Sequence, residues 1–514
     1  MHLPWEHKNE IDESDLDAQT RDQDENYNVT QKTRGEKLWP VVAAGAGLFS
    51  DGYVNNSIGT ASTCLKILYP KEYANSPAQS NVASIAFAGT VLGQLVFGYV
   101  ADYHSRKIGM LISMSILVLF TILASGAWGA GGSISGMLAA LTVYRFFIGI
   151  GIGGEYPAGS VACAEASAII TKGSRNRYFI LFTNFMIDWG FVISAFVPLV
   201  CLWIFGKDNL NPVWRLTIGL GAIPPLSLFY LRFKFEEPEQ FEKLNMKKAK
   251  VPYTLIIKYY WWRLTVVSTI WFIYDFSVYA FGIYSSTILN RIIPDHDIYK
   301  TFGWNVVMNF FYIPGSFLGA FASDNFGPRT TLVVGLLCQS VMGFFMAGFY
   351  GTLEKNVAAF TVIYGIFLSF GEFGPGNNSG LLAAKSSATP VRGQFYGLAA
   401  AIAKVGAFIG TYIFPIIIKN AGGEDTVKGN QAPFWVAGAL CIFSAFVAFF
   451  LLPPLGQDAL DKEDVDFCEY LAANGYSVSQ LGSVSSTKES IGSNGDDSAE
   501  SESKGPMSTV FTKA

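Results

Sequence analysis

Hydrophobic residues recur along this chain in about twelve runs of roughly 20 residues, the length at which an α-helix crosses the hydrocarbon core of a bilayer. The runs start near Leu38, Ser80, Ile108, Gly136, Tyr178, Val213, Leu264, Thr301, Thr330, Ala358, Gly393 and Phe434. Charged positions gather between the runs and at the two ends. The widest gap, 232–262, holds Arg232, Lys234, Lys243, Lys247, Lys248, Lys250 and Lys258, and divides six runs from six. Further basic residues mark loops at Arg106–Lys107, Lys172–Arg177, Arg329 and Lys385–Arg392, all on one side if helices alternate. That asymmetry places both termini in the cytosol. The pattern predicts an all-α membrane protein of twelve transmembrane helices in two six-helix bundles, with a solute site between them near the midplane. Its parts are an acidic tail 1–36, a bundle 37–231, a basic loop 232–262, a bundle 263–453 and a Ser-rich acidic tail 454–514. Runs four and eleven are rich in Gly and Ala, which permit close helix packing.

One polar interruption carries candidate chemistry. The stretch WFIYDFSVY, 271–279, sets Asp275 inside an apolar run, where an ionised, unpaired carboxylate costs on the order of 3 kcal/mol. Trp271, Asp275 and Tyr279 recur at i, i+4 and i+8, so a helix stacks them along one face. An acid flanked by aromatics on that face suits a polar solute. Arg145 and Lys404 lie well inside runs four and eleven and are the candidate cations.

Composition narrows the class. Hydrophobic residues make up 51%, charged residues 15%, and the mean hydropathy is +0.32, too apolar for an ordinary soluble chain of 514 residues. The net charge of −4 comes largely from the ends and argues against nucleic acid as a partner. Six cysteines without a CxxC pair give neither a disulfide framework nor a metal site, and no cofactor motif is present. No basic stretch followed by an apolar core opens the chain, so the first residues read as a cytosolic tail and not as a cleaved signal. None of the four histidines falls in a run, which removes a histidine proton relay. An intramembrane aspartyl protease would need a Gly-x-Gly-Asp in a second run, and no HExxH zinc motif or serine elbow occurs, so an enzyme is not expected. A transporter-like nutrient sensor is the nearer rival, although sensors carry longer tails. The segment 477–508 reads as disordered.

Four further motifs carry a resemblance. GYVADYHSRK, 98–107, and its weaker copy GAFASDNFGPR, 319–329, resemble the gate loops of the major facilitator superfamily. RFFIGIGIGGEYP, 145–157, and EEPEQF, 236–241, are similar to the fourth helix and the end of the sixth helix in its sugar and phosphate porters. With WFIYDFSVY and AKVGA, 403–407, the chain looks like the fungal proton-coupled phosphate porters over residues 37 to 453. That resemblance implies a phosphate held by Trp271, Asp275 and Tyr279, with Glu155 and Tyr156 on helix four and Asp51 moving protons. It implies a gate of Asp102, Arg106 and Glu165, joined by Asp324, Arg329 and Arg392.

Departures shift the expected substrate. Val54, either Ile187 or Asp188, and Lys385 stand where the phosphate porters carry an acid, a glutamine and a glutamate, while FSDGYVNN (49–56), GGEYPAGS (153–160) and ATPVRGQFYG (388–397) resemble the glycerophosphodiester permeases of yeasts more closely. That resemblance implies a plasma-membrane importer of glycerophosphocholine, glycerophosphoinositol or inorganic phosphate together with protons, taken up by Asp51, Glu155 or Asp275. A choline headgroup needs aromatic faces and an anion. Trp271, Tyr274, Tyr279, Tyr156 and Trp189 beside Asp188 offer them, and Asp188 tips the expectation toward glycerophosphocholine.

Overall fold

The computed structural model describes residues 34–74, 76–167 and 173–482, and the acidic segment 1–33, Lys172 and the Ser-rich segment from 483 lie outside them. Eleven of the described helices are long and apolar enough to cross a membrane. The twelfth crossing is the first helix, α1, which runs over Arg34–Gly45, breaks in a 3-10 turn at Ala46–Leu48 and resumes over Phe49–Leu68. Its polar character has a structural reason: Asp51, Asn55, Asn56, Ser57 and Thr60 are all buried in the protein interior, out of reach of lipid.

The remaining crossings are α2 (Ala78–Tyr103), α3 (Arg106–Ser125), α4 (Ile134–Ala166), α5 (Arg175–Phe205), α6 (Leu210–Phe233), α7 (Tyr253–Ile292), α8 (Ile298–Asn325), α9 (Pro328–Leu353), α10 (Val357–Lys385), α11 (Arg392–Asn420) and α12 (Val427–Leu451). Side-chain caps set several of their starts, with Ser105, Ser133, Asn356 and Thr426 each accepting from a backbone N–H one turn on. α7 begins at Tyr253, inside the stretch expected to be a loop, and a short helix, Glu239–Leu244, precedes it. Beyond α12 the chain forms a further helix, α13 (Ala459–Ala473), where the sequence suggested only a tail.

α1 to α6 pack as one bundle and α7 to α12 as the other, and they meet along three pairs: α2 with α11, α5 with α8, and α1 with α7. Small residues govern how closely these pairs approach. Gly393 at the start of α11 sits so near α2 that a Cβ there would lie 2.5 Å from an Asp102 oxygen. At the break in α1 a glycine admits the Arg232 guanidinium, since a Cβ on Gly47 would lie 2.0 Å from it.

Candidate functional site

α7 presents Trp271, Tyr274, Asp275, Val278 and Tyr279 to a cavity between the bundles. The spacing that put Trp271, Asp275 and Tyr279 on one helix face therefore puts all three on one wall. α11 supplies Lys404 and Tyr396, α4 supplies Tyr156, α5 supplies Asn184 and Phe191, and α10 supplies Glu372 and Asn377.

Lys404 is the hub of the charged wall. Its ammonium lies 3.1 Å from Asp275 and 2.5 Å from the Tyr279 hydroxyl, and sits over the Tyr279 ring at 3.9 Å from the centroid. Tyr279 in turn donates to Asp51 at 3.2 Å, so a hydrogen-bonded chain Asp51, Tyr279, Lys404, Asp275 joins the two bundles. Tyr156 and Asn55 also donate to the Asp51 carboxylate. Such a chain shares charge over several groups, which lowers the cost of keeping two acids and one base in a dry site.

The cavity wall carries a further acid that the sequence did not single out. Glu372 accepts from the Tyr274 hydroxyl at 2.7 Å and from Asn184 at 2.8 Å, and is buried. A signal for it was present: Gly371-Glu372 in the second bundle repeats Gly154-Glu155 in the first, and each glutamate opens a π-turn midway along its helix. The two differ in their partners. Glu155 is held by Arg232 at 2.6 Å and by Ser113 at 3.0 Å, away from the cavity. The other guanidinium donors of Arg232 go to the carbonyls of Ala43 and Ala44, which the break in α1 leaves free. Arg232, counted above as a loop cation, is thus a buried structural residue.

Three expected site residues lie elsewhere. Arg145 does not border the cavity: its Nε donates to the Val82 carbonyl at 2.7 Å, so it ties α4 to α2. Asp188 is buried beside the cavity face of α5 without lining it, next to Ser316 of α8 and in electrostatic reach of Glu372. Trp189 is half-buried against Phe185. The reason is one of helical phase. Asn184, Ile187 and Phe191 form the cavity face of α5, which turns Trp189 away and leaves Asp188 at its edge, against α8.

Both ends of the cavity are closed. On the face that carries α13 and the basic loops, called the terminal face below, Arg106 bonds Asp102 at 2.6 Å and Glu165 at 3.0 Å, and Arg392 bonds Glu165 at 3.1 Å. Asp102 also accepts from the backbone N–H of Gly393 at 2.8 Å and of Gln394 at 2.7 Å, the free donors at the start of α11. The repeated motif does the same for α5, where Asp324 accepts from Arg177 N at 3.1 Å. Arg329 does not cross between bundles and instead donates to the Phe449 carbonyl near the end of α12. Lys385 bridges them by donating to Asn176 and, at 2.8 Å, to Gly456 O.

α13 seals this face. Asp464 accepts from Thr389 N at 2.6 Å and from its hydroxyl at 2.7 Å, and meets Arg392 at 3.4 Å. Burial pushes the Asp464 carboxyl above the ordinary carboxylate range, against the pull of Arg392. Glu463 accepts from Tyr260 at 2.9 Å and pairs with Arg263 at 2.5 Å. Asp461 reaches the first bundle, 3.0 Å from Arg175.

On the opposite face, Thr63 and Ser286 bond at 3.0 Å between α1 and α7, and Asn56 bonds Asn309 at 3.0 Å between α1 and α8. The enclosed cavity measures about 40 Å³. That volume suits a few waters, whereas a small-molecule site needs roughly 300 Å³ or more. The structure is therefore occluded and contracted, and the bundles must part to admit a solute.

Comparison with known proteins places this architecture. The model of the family described as Sugar (and other) transporter matches residues 39–250 and 239–467. The glycerophosphodiester transporter GIT2 of Candida albicans is 54% identical over 469 residues, covering 90% of this chain and 88% of its own. The glycerophosphocholine permease GIT4 of the same yeast is 53% identical, covering 89% and 86%, and the major glycerophosphoinositol permease GIT3 is 52% identical, covering 91% and 88%. Among solved structures, the proton:xylose symporter XylE bound to 6-bromo-6-deoxy-D-glucose superposes with a TM-score of 0.71 at 15% identity, over 84% of this chain and 98% of that one.

Proposed function

We propose, for a chain that belongs to the fungal glycerophosphodiester permeases of the major facilitator superfamily, that it imports glycerophosphodiesters together with protons, and that glycerophosphocholine is the favoured substrate. Its relatives are named as permeases and transporters, and it is a multi-pass membrane transporter and not an enzyme. The terminal face is read as cytosolic, and the membrane as the plasma membrane.

The observation that carries the coupling is the Lys404–Asp275 pair at 3.1 Å on the cavity wall. While Asp275 is ionised it neutralises Lys404, and the wall offers little to an anion. A proton on Asp275 leaves Lys404 with an uncompensated charge in a dry site, where its attraction for a phosphodiester oxygen is strong. The protonated carboxyl also becomes a hydrogen-bond donor to that oxygen. Proton and phosphodiester thus favour each other's binding. Tyr279 and Asp51 extend the chain to the first bundle, so the state of the pair is felt where the bundles meet.

Electrical work points the same way. An inside-negative potential opposes a monoanion by roughly 2.3 kcal/mol per 100 mV, and one accompanying proton cancels that work. A choline ester is a zwitterion, so each proton carried with it moves net charge inward and the potential adds to the driving force.

The substrate class is tested by competition in yeast cells that lack their own permeases of this type. Labelled glycerophosphocholine uptake is expected to be blocked by unlabelled glycerophosphocholine at the lowest concentration, by glycerophosphoinositol at a higher one, and by inorganic phosphate least. Phosphate competing best would replace the diester by the free anion as substrate.

A further inference from the structure

The cavity wall carries two acids, Asp275 at one place and Glu372 at another, and their partners differ. At the first, Lys404 and Asp275 face the phosphate. At the second, Glu372 receives two hydrogen bonds, from Tyr274 at 2.7 Å and Asn184 at 2.8 Å, one on each carboxylate oxygen. Both bonds are accepted, so each carboxylate oxygen meets a donor. Among the described residues no basic side chain forms an ion pair with it. Its counterpart Glu155 shows the alternative, because there Arg232 supplies the cation from within the protein. Lys404 acts on Glu372 electrostatically but is paired with Asp275, so Glu372 has no cation of its own.

The walls around it suit a particular kind of cation. Trp271, Tyr274 and Tyr396 line the same cavity, with Trp271 and Tyr396 edge to face at 5.6 Å between centroids. A quaternary ammonium cannot donate hydrogen bonds and is held by an anion together with aromatic faces. A polyol headgroup draws on hydrogen bonds and gains nothing from a net charge. We infer that Glu372 is the acceptor for a cationic headgroup, and so the residue that selects choline esters over polyol esters of glycerophosphate. This assigns to Glu372 the role expected of Asp188, and it rests on reading the site as one for phosphodiesters.

The test uses whole-cell uptake by the full chain with three ligands: glycerophosphocholine, glycerophosphoinositol, and the 3,3-dimethylbutyl ester of glycerophosphate, which replaces the choline nitrogen by carbon. The wild type is expected to prefer the choline ester to the carbon isostere by about tenfold in apparent affinity, the size of one anion-assisted cation contact. Glu372→Gln is expected to abolish that preference, so that the choline ester and its carbon isostere compete equally. Glu372→Asp, which keeps the charge, is expected to retain part of it.

Equal competition by the isostere and the choline ester in the wild type overturns the assignment, whatever becomes of the variant's folding. So does a Glu372→Gln protein that keeps its choline preference, or one whose uptake of all ligands falls together or loses its dependence on external pH, since that marks a positioning or proton-carrying residue. Wild-type cells that take up none of the three ligands overturn the permease reading itself, whereas uptake without headgroup discrimination overturns only the role of Glu372.

Discussion

Asp275→Asn is expected to lower proton-driven uptake of glycerophosphodiester by about 100-fold or more, while the protein still reaches the membrane. Asn preserves the shape of the side chain and its place beside Lys404, but it removes both the negative charge and the proton acceptor. Lys404 then keeps the Tyr279 hydroxyl at 2.5 Å and loses its 3.1 Å ion pair. Removing one partner of a buried pair leaves an uncompensated charge and costs about 3 to 5 kcal/mol, which the site relieves by holding Lys404 neutral or by trapping an anion. Either outcome breaks the cycle, because no proton then arrives to release the cation or departs to recover it. Uptake measured against surface protein checks this, and normal transport by the variant would remove Asp275 from the mechanism.

Arg106→Gln is expected to move the terminal gate toward its open form by roughly 100-fold in population, with uptake falling in step. The guanidinium is fully buried between Asp102 and Glu165 and lies 4.2 Å from the centroid of the Phe241 ring. Without it, Asp102 keeps the two backbone donors of α11 and Glu165 keeps Arg392, so the gate is weakened and not dissolved. Opening hydrates both freed carboxylates, and that differential is what shifts the population. A cysteine at Ser387, buried in the closed gate, reports the change: thiol labelling from the terminal face should accelerate in the variant. Unchanged labelling would show that the other bonds across this face, including those of α13, suffice to close it.

Much of this was legible in the chain because bilayers impose length and spacing. The apolar runs located the helices, and the i, i+4, i+8 placement of Trp271, Asp275 and Tyr279 located one wall of the cavity. The motif around Asp102 and Arg106 located the terminal gate. What failed were inferences that required knowing the rotation of a helix or the partner of a charge. Trp189 is two positions past the cavity-facing Ile187 and a helix turns it by about 200°, whereas Asp188, about 40° from Asn184, lies at the edge of the cavity face against Ser316. Arg145 looked available until its Nε proved to serve the Val82 carbonyl. Arg232 sat at the edge of a basic loop in sequence, yet it is the cation that binds Glu155 and mends the break in α1.

Two omissions have a different cause. α13 is too polar to be read as part of a membrane protein's core, although its Asp464 is bound to Thr389 and Arg392 in the gate. Its apolar side, with Phe467 and Leu471, packs against Tyr260, Phe395 and Met246, so it is amphipathic at the water boundary and not a spanning element. Glu372 was not singled out in the sequence, and its stretch, GEFGPG, forms a π-turn within α10 that carries the acid on the cavity wall.

The central claim, uptake of a glycerophosphodiester driven by protons through this one chain, is tested most directly with the purified protein in sealed vesicles. Labelled glycerophosphocholine is added outside at acid pH with a neutral interior, and its accumulation is followed with and without a protonophore. Accumulation above the external concentration that collapses on adding the protonophore is the predicted result. Equilibration that ignores the gradient, or accumulation that survives the protonophore, would contradict it.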